Sequence, residues 1–102
     1  MVLLDFSVTP IGAGESVGQY VARCVDIVDA SGLDYRLHAM GTTVEGDLDE
    51  VLDVLKRCVE AVAAQCSRVS VAAKLDYRQQ HSGMIDAKVA SVERRLGRPV
   101  KK

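Results

Sequence analysis

Met40-Gly41-Thr42, with Glu45 and Gly46 close behind, puts a flexible thioether, a turn glycine, a hydroxyl and a carboxylate into one short stretch. A thioether gives a soft apolar contact, and a carboxylate accepts hydrogen bonds from an amine-bearing ring or balances a cation. The alternation around Glu45 places it on a short central strand, where a carboxylate is costly if covered and unpaired. Two readings follow. Glu45 is solvated on an open sheet face or paired with Lys74 or Arg36, or else it accepts from an electron-poor or cationic heterocycle.

Other chemistry is sparse. His38 and His81 are the only histidines. Neither has a cysteine or carboxylate at ligand spacing, so no metal site and no cofactor are expected. Cys24, Cys58 and Cys66 are an odd number without C-x-x-C spacing and fall among apolar helical residues, which reads as reduced core thiols in a cytoplasmic protein. Nothing near Cys24 in sequence would lower its pKa, so packing is its expected role. Gly12-Ala-Gly14-Glu-Ser-Val-Gly18 precedes a helix start and offers backbone N–H groups, but it lacks the dinucleotide spacing and contains Glu15. A loop followed by a helix cap is the expectation there. No G-x-S-x-G, Walker A or H-E-x-x-H motif is present, and no catalytic residue is expected.

The bulk properties bound the class. At 102 residues the chain is one domain, residues 1–102, and its 48% hydrophobic and 26% charged content is that of a globular protein. A formal net charge of -1 argues against a nucleic-acid partner, because phosphate neutralisation needs a basic face. The opening MVLLDFSV lacks the basic start of a signal peptide, and no apolar run approaches the ~20 residues that cross a bilayer, so no membrane partner is expected.

The elements that hold these residues follow from periodicity. Val2, Leu4, Phe6 and Val8 alternate with Leu3, Asp5, Ser7 and Thr9, a half-buried strand that Pro10 breaks. Ser16 and Gln19 resemble a capping box, and Val17, Val21, Cys24, Val25 and Val28 recur at helical spacing until Gly32 ends the helix. Leu33 to Met40 alternates as a second strand, Gly41 turns the chain, and Thr42 to Gly46 is a short third. Asp47, with Glu50 as reciprocal partner, caps a second helix whose stripe is Leu48, Val51, Leu52, Leu55, Cys58, Val59, Val62 and Cys66. Asp53 and Arg57 form an i,i+4 pair. Arg68 to Arg78 alternates as a fourth strand. A polar loop leads to a third helix carrying Ile85, Val89, Val92 and Leu96, which Gly97 and Pro99 stop.

The order β-α-β-β-α-β-α, with right-handed crossovers, gives an α+β ferredoxin-like βαββαβ fold. It has a four-stranded antiparallel sheet, two helices on one face and an added C-terminal helix. The opposite face is mixed, with Asp5, Ser7, Arg36, His38, Met40, Thr43, Glu45, Lys74 and Asp76. The fourth strand is a long edge with little charge, and such edges are paired or shielded. A homodimer with a continuous sheet is expected, unless the third helix covers the edge. An RNA-binding use would need aromatics on both central strands, which TTVEG lacks. An acylphosphatase-like enzyme would need an Arg in the first loop and an Asn, and the chain contains no Asn.

The strings FSVTP, SGLDYRLHAMGTTVEGDLDEV, VAAKLDYR and KVASVERRL resemble the thiamine-binding protein family related to YkoF. The resemblance spans nearly the whole chain. It implies a ferredoxin-like domain that assembles into homodimers or homotetramers and binds, without catalysis, a small molecule: thiamine or a related pyrimidine. Some members carry two such domains; with one, a shared pocket would come from two subunits. By position the implied ligand-binding residues are Ser7, Ser31, Tyr35, Met40, Gly41, Thr42, Glu45, Asp76 and Arg78. The alternative is a structural protein that assembles through its open face and has no specific ligand.

Overall fold

The computed structural model describes residues 1–14, 17–79 and 82–102. The expected Ser16 cap and His81 lie outside them. The elements run β1 (Val2–Pro10), α1 (Gly18–Ala30), β2 (Asp34–His38), β3 (Gly41–Gly46), α2 (Leu48–Ala63), β4 (Val69–Tyr77) and α3 (Met84–Leu96). The sheet is antiparallel in the order β2-β3-β1-β4, the ferredoxin-like arrangement that the alternation predicts.

Register assigns the faces. Phe6 pairs with Thr42 and Ala73, and Leu4 pairs with Val44 and Leu75, so these residues share one face. Helices α1 and α2 cover that face, and the core is Val2, Leu4, Phe6 and Val8 of β1 with Val44, Cys24, Val28, Val51, Val54, Cys58 and Val62. Removing each such side chain from water contributes about 1.5–3 kcal/mol. β-branched valine serves both the strands and the helix faces here, because tight layer packing outweighs its small helix penalty. Gly46 gives way to the core: a Cβ there would lie 3.0 Å from the Leu33 side chain.

Several expected details differ. β1 continues through Pro10, which pairs with Val69 as the last residue of the strand, where a missing N–H disturbs nothing further along. Asp47 stands at the start of α2 in extended conformation without making a side-chain capping bond; the acidic first turn of Asp49 and Glu50 remains to favour the helix dipole. The stripes are narrower than the periodicity implies. Val21, Leu48 and Leu52 are exposed, because each helix meets the sheet along only part of its apolar arc. Asp53 and Arg57 do pair, at 3.3 Å. Gly32 and Gly97 end α1 and α3 at φ of +76° and +72°, as glycines suited to the left-handed conformation do.

Helix α3 lies over the other face of the sheet, and none of its residues is fully buried. Polar clamps hold it: Arg36 to Asp86 at 3.0 Å, Lys88 to Asp76 at 2.6 Å, and Glu45 to its first turn. It does not shield the β4 edge. Val71, Leu75 and Tyr77, on the helix-layer face of β4, remain exposed.

Candidate functional site

The two neighbours of β1 differ in length, and this difference makes a cleft. Pairing with β4 runs from Val2↔Tyr77 to Pro10↔Val69, whereas pairing with β3 stops at Phe6↔Thr42. From Ser7 onward β1 therefore has a ladder partner on one side only. The space where β3 would continue is bounded by the β2–β3 hairpin, from Leu37 to Thr42, and by Val17, Val21 and Cys24 around the start of α1. It measures about 310 Å³, at the small end of ligand-sized pockets.

Gly41 sets the shape of this cleft. A Cβ there would lie 2.6 Å from the Phe6 carbonyl oxygen, closer than any side chain tolerates. Gly41 does not make the turn, as its type suggests: it is the first residue of β3, paired with His38, and serves close approach of two backbones. Ala39 and Met40 form the turn, and Met40 projects outward, 84% exposed. Thr42 is buried and Ser7 half-buried in the walls. The lining combines apolar surface from Phe6, Val8, Leu37 and Met40 with the hydroxyls of Ser7, Thr9 and Thr42.

At its rim stands a polar cluster that periodicity alone does not assemble. His38 Nε2 lies 2.7 Å from Asp5 Oδ1, the Thr43 hydroxyl donates to the same oxygen at 2.9 Å, and the Met40 N–H donates to His38 Nδ1 at 3.3 Å. The bond into Nδ1 places the ring proton on Nε2, so both ring nitrogens are engaged. The pairing Asp5↔Thr43 of β1 with β3, with His38 at the end of the next strand, explains the cluster; the signal in sequence is three polar residues on the open face of adjoining strands.

The nine residues that the family resemblance implies fall into three places. Ser7, Met40, Gly41 and Thr42 meet in the cleft. Glu45 does not, since four steps along the strand, about 13 Å, separate it from Gly41. Only 4% exposed, it is paired neither with Lys74 nor with Arg36: both its oxygens accept from the Met84 N–H at 3.0 Å, and one accepts from Ile85 at 3.5 Å. It therefore satisfies the otherwise unpaired donors at the start of α3, where the helix dipole favours an anion. Asp76 is nearby, across Leu3 in the same row of the sheet, and holds Lys88; Arg78 contacts Asp76 at 3.6 Å. The Lys88 ammonium, hydrogen-bonded to Asp76, keeps that carboxyl below its ordinary pKa, with Arg78 and Lys74 assisting. The third place is the end of α1. Ser31 bridges the Val28 carbonyl and the Leu33 N–H within the turn, and the Tyr35 hydroxyl donates to Asp29 at 3.0 Å, which raises the phenol pKa.

Among the described residues no group of three or more His, Cys, Asp or Glu side chains is arranged to hold a metal ion, and no helix is long and apolar enough to cross a membrane. Every buried side-chain nitrogen and oxygen among them has a hydrogen-bond partner.

A family model described as thiamine-binding protein matches residues 4–93. A UPF0045 protein of Mycobacterium bovis is 48% identical over 99 residues, covering 96% of this chain and 97% of that one. A UPF0045 protein of Synechocystis is 43% identical, covering 90% and 77%. Among solved structures, a hypothetical protein of Methanocaldococcus jannaschii superposes with a TM-score of 0.83 at 33% identity, over 89% of this chain and 94% of that one. A domain of unknown function from Bacillus cereus gives 0.76 at 38% identity, over 86% of each.

Proposed function

We propose that this chain, which belongs to the thiamine-binding protein family, binds a small aromatic heterocycle, thiamine or a thiamine-like aminopyrimidine, and does not transform it. The observation that carries this reading is the cleft at the hairpin, where Ser7, Met40, Gly41 and Thr42 converge on a strand with one free backbone edge. A flat ring fits between the Met40 thioether and the apolar wall of Leu37 and Val8, and hydroxyls and unpaired strand amides and carbonyls serve its ring nitrogens and amine. Asp5 at the rim supplies a negative charge toward a cationic ring. His38 has both nitrogens engaged, which supports holding over proton transfer. In this reading Glu45, Asp76 and Arg78 keep α3 in place, and Ser31 and Tyr35 fix the join between α1 and β2.

The working form is a homodimer or homotetramer. The exposed Val71, Leu75 and Tyr77 beside the free β4 edge support assembly there, with a second copy continuing the sheet. The three unbridged cysteines suit a reducing compartment, the cytoplasm.

Isothermal titration and thermal unfolding with thiamine, its pyrimidine fragment and its phosphates test the ligand. Binding to the native state must raise apparent stability, so heat and a higher Tm are expected; neither at millimolar ligand overturns the reading. Ser7→Leu, which fills the cleft, should abolish the effect. Sedimentation that shows only monomer at micromolar concentration removes the assembly. A stable oligomer indifferent to every ligand favours the structural alternative.

A further inference from the structure

Cys24 of α1 and Cys58 of α2 face each other across the helix layer. Cys24 Sγ lies 3.9 Å from the Cys58 carbonyl oxygen, and Cys58 Sγ lies 3.6 Å from the Cys24 carbonyl oxygen. A carbonyl oxygen is about 2.4 Å from its own Cα, so each sulfur is within roughly 6 Å of the facing Cα. Closing a bridge requires the thiols to give up these carbonyl contacts and turn toward each other. The two are not equivalent. Both are buried, but Cys24, 8% exposed, borders the cleft, whereas Cys58 is fully enclosed. The Cys58 thiol beside it pulls the Cys24 pKa below the ordinary thiol range against the effect of burial, with Arg23 assisting. The same contact, together with burial, pushes Cys58 far up. The expectation that nothing near Cys24 in sequence lowers its pKa is therefore corrected: the chief cause, Cys58, lies 34 positions away, and the adjacent Arg23 assists.

We propose that Cys24 and Cys58 are a reversible redox pair, in which a small hydroperoxide entering the cleft oxidises Cys24 and Cys58 closes the bridge. The Cys24 sulfur, having given up its proton, attacks the terminal peroxide oxygen. An S–O bond forms, the O–O bond breaks, and the alcohol leaves carrying that proton. The Cys58 sulfur then attacks the sulfenic sulfur. An S–S bond forms, the S–O bond breaks, and the hydroxyl leaves as water with the Cys58 proton. Two thiols lose two electrons in all, and the hydroperoxide is reduced to alcohol and water. A dithiol reductant reverses the bridge by exchange. Intracellular disulfides are usually transient and redox-sensing, and this one would fasten the α1 wall of the cleft to α2.

Cys66 serves as the internal control: its thiol interacts with the Tyr20 hydroxyl. The test uses the whole chain, treated with hydrogen peroxide or cumene hydroperoxide, then alkylated with iodoacetamide in denaturant and mapped by mass spectrometry. Before alkylation the intact mass should fall by about 2 Da, the two hydrogens lost to a bridge. Alkylation should remain at Cys66 alone, with a Cys24–Cys58 cross-linked peptide that dithiothreitol releases. Cys58→Ala should halt at a dimedone-reactive Cys24, and Cys66→Ala should behave as the parent. Full alkylation of all three thiols after peroxide, or a bridge that uses Cys66 or joins two chains, overturns the proposal. Mapping of the unaltered protein decides between these outcomes whether or not the variants fold.

Discussion

β1 and β4 lie side by side, each nine residues long with the same alternation of apolar and polar positions, yet they end in opposite surroundings. Val2, Leu4, Phe6 and Val8 of β1 are buried, whereas Val71 and Leu75 of β4 are 40% exposed and Tyr77 is 58% exposed. The faces are the same; the cover is not. β1 has a strand on each side as far as Phe6 and both helices above it, while α2 leaves most of the apolar side of β4 bare. Alternation thus encodes which side of a strand is apolar, and helix placement decides whether that side is filled from within the chain or left for another molecule.

Substitution at paired positions tests this contrast most strongly. Leu4→Ala should cost about 3–4 kcal/mol in urea denaturation. Its register partner, changed as Leu75→Ala, should cost less than about 1 kcal/mol in dilute protein. At higher concentration the cost of Leu75→Ala should grow as assembly is lost; equal costs for the two at every concentration would break the comparison. Next in size is Gly41→Ala, which drives a Cβ into the Phe6 carbonyl and should cost about 2 kcal/mol, with an altered cleft and weaker ligand binding read by titration. Gly18→Ala, at a glycine that like Gly41 has no positive φ and whose Cβ would meet nothing within 4 Å, separates that clash from the general effect of replacing a glycine.

Glu45→Ala should cost about 1–2 kcal/mol, because it strips the first donors of α3 of their acceptor. Hydrogen exchange should then quicken across α3 and leave β1 unchanged. The smallest effect is a pH dependence. Lys88 depresses the Asp76 pKa, so this contribution is complete above the unfolded carboxyl pKa and fades as pH falls through the lower folded value. Acid titration of the parent and of Lys88→Ala should therefore converge at low pH; curves that stay parallel would assign the difference to something other than this ion pair.

Much of the fold is legible because apolar residues mark every second position of β1 (Val2, Leu4, Phe6, Val8) and of β4 (Val69, Val71, Ala73, Leu75), and because glycine closes α1 and α3. The site was legible in part. Met40, Gly41 and Thr42 are contiguous, whereas Ser7 enters only through the family resemblance, and the register that sets it beside them is visible only in the fold. The partners of Glu45 were not legible: instead of pairing with Lys74, Arg36 or solvent, it accepts from backbone N–H groups 39 and 40 positions away, and backbone donors leave no trace in residue types. The Asp5–His38–Thr43 cluster and the Cys24–Cys58 pair went unread for a related reason. Each joins residues that only strand register or helix packing brings together.

The overhang of β1 past β3 has a consequence for how such a domain diverges. The size of the cleft is set by a difference between two strand lengths, so it answers to insertions and deletions in the hairpin more than to point replacements. Lengthening β2 and β3 by one residue each would carry the ladder past Ser7 and begin to close the opening like a zip. Shortening them would widen it, with the core valines untouched. A lineage can therefore trade one ligand size for another in steps of about 3.4 Å, the rise of a single residue along a strand.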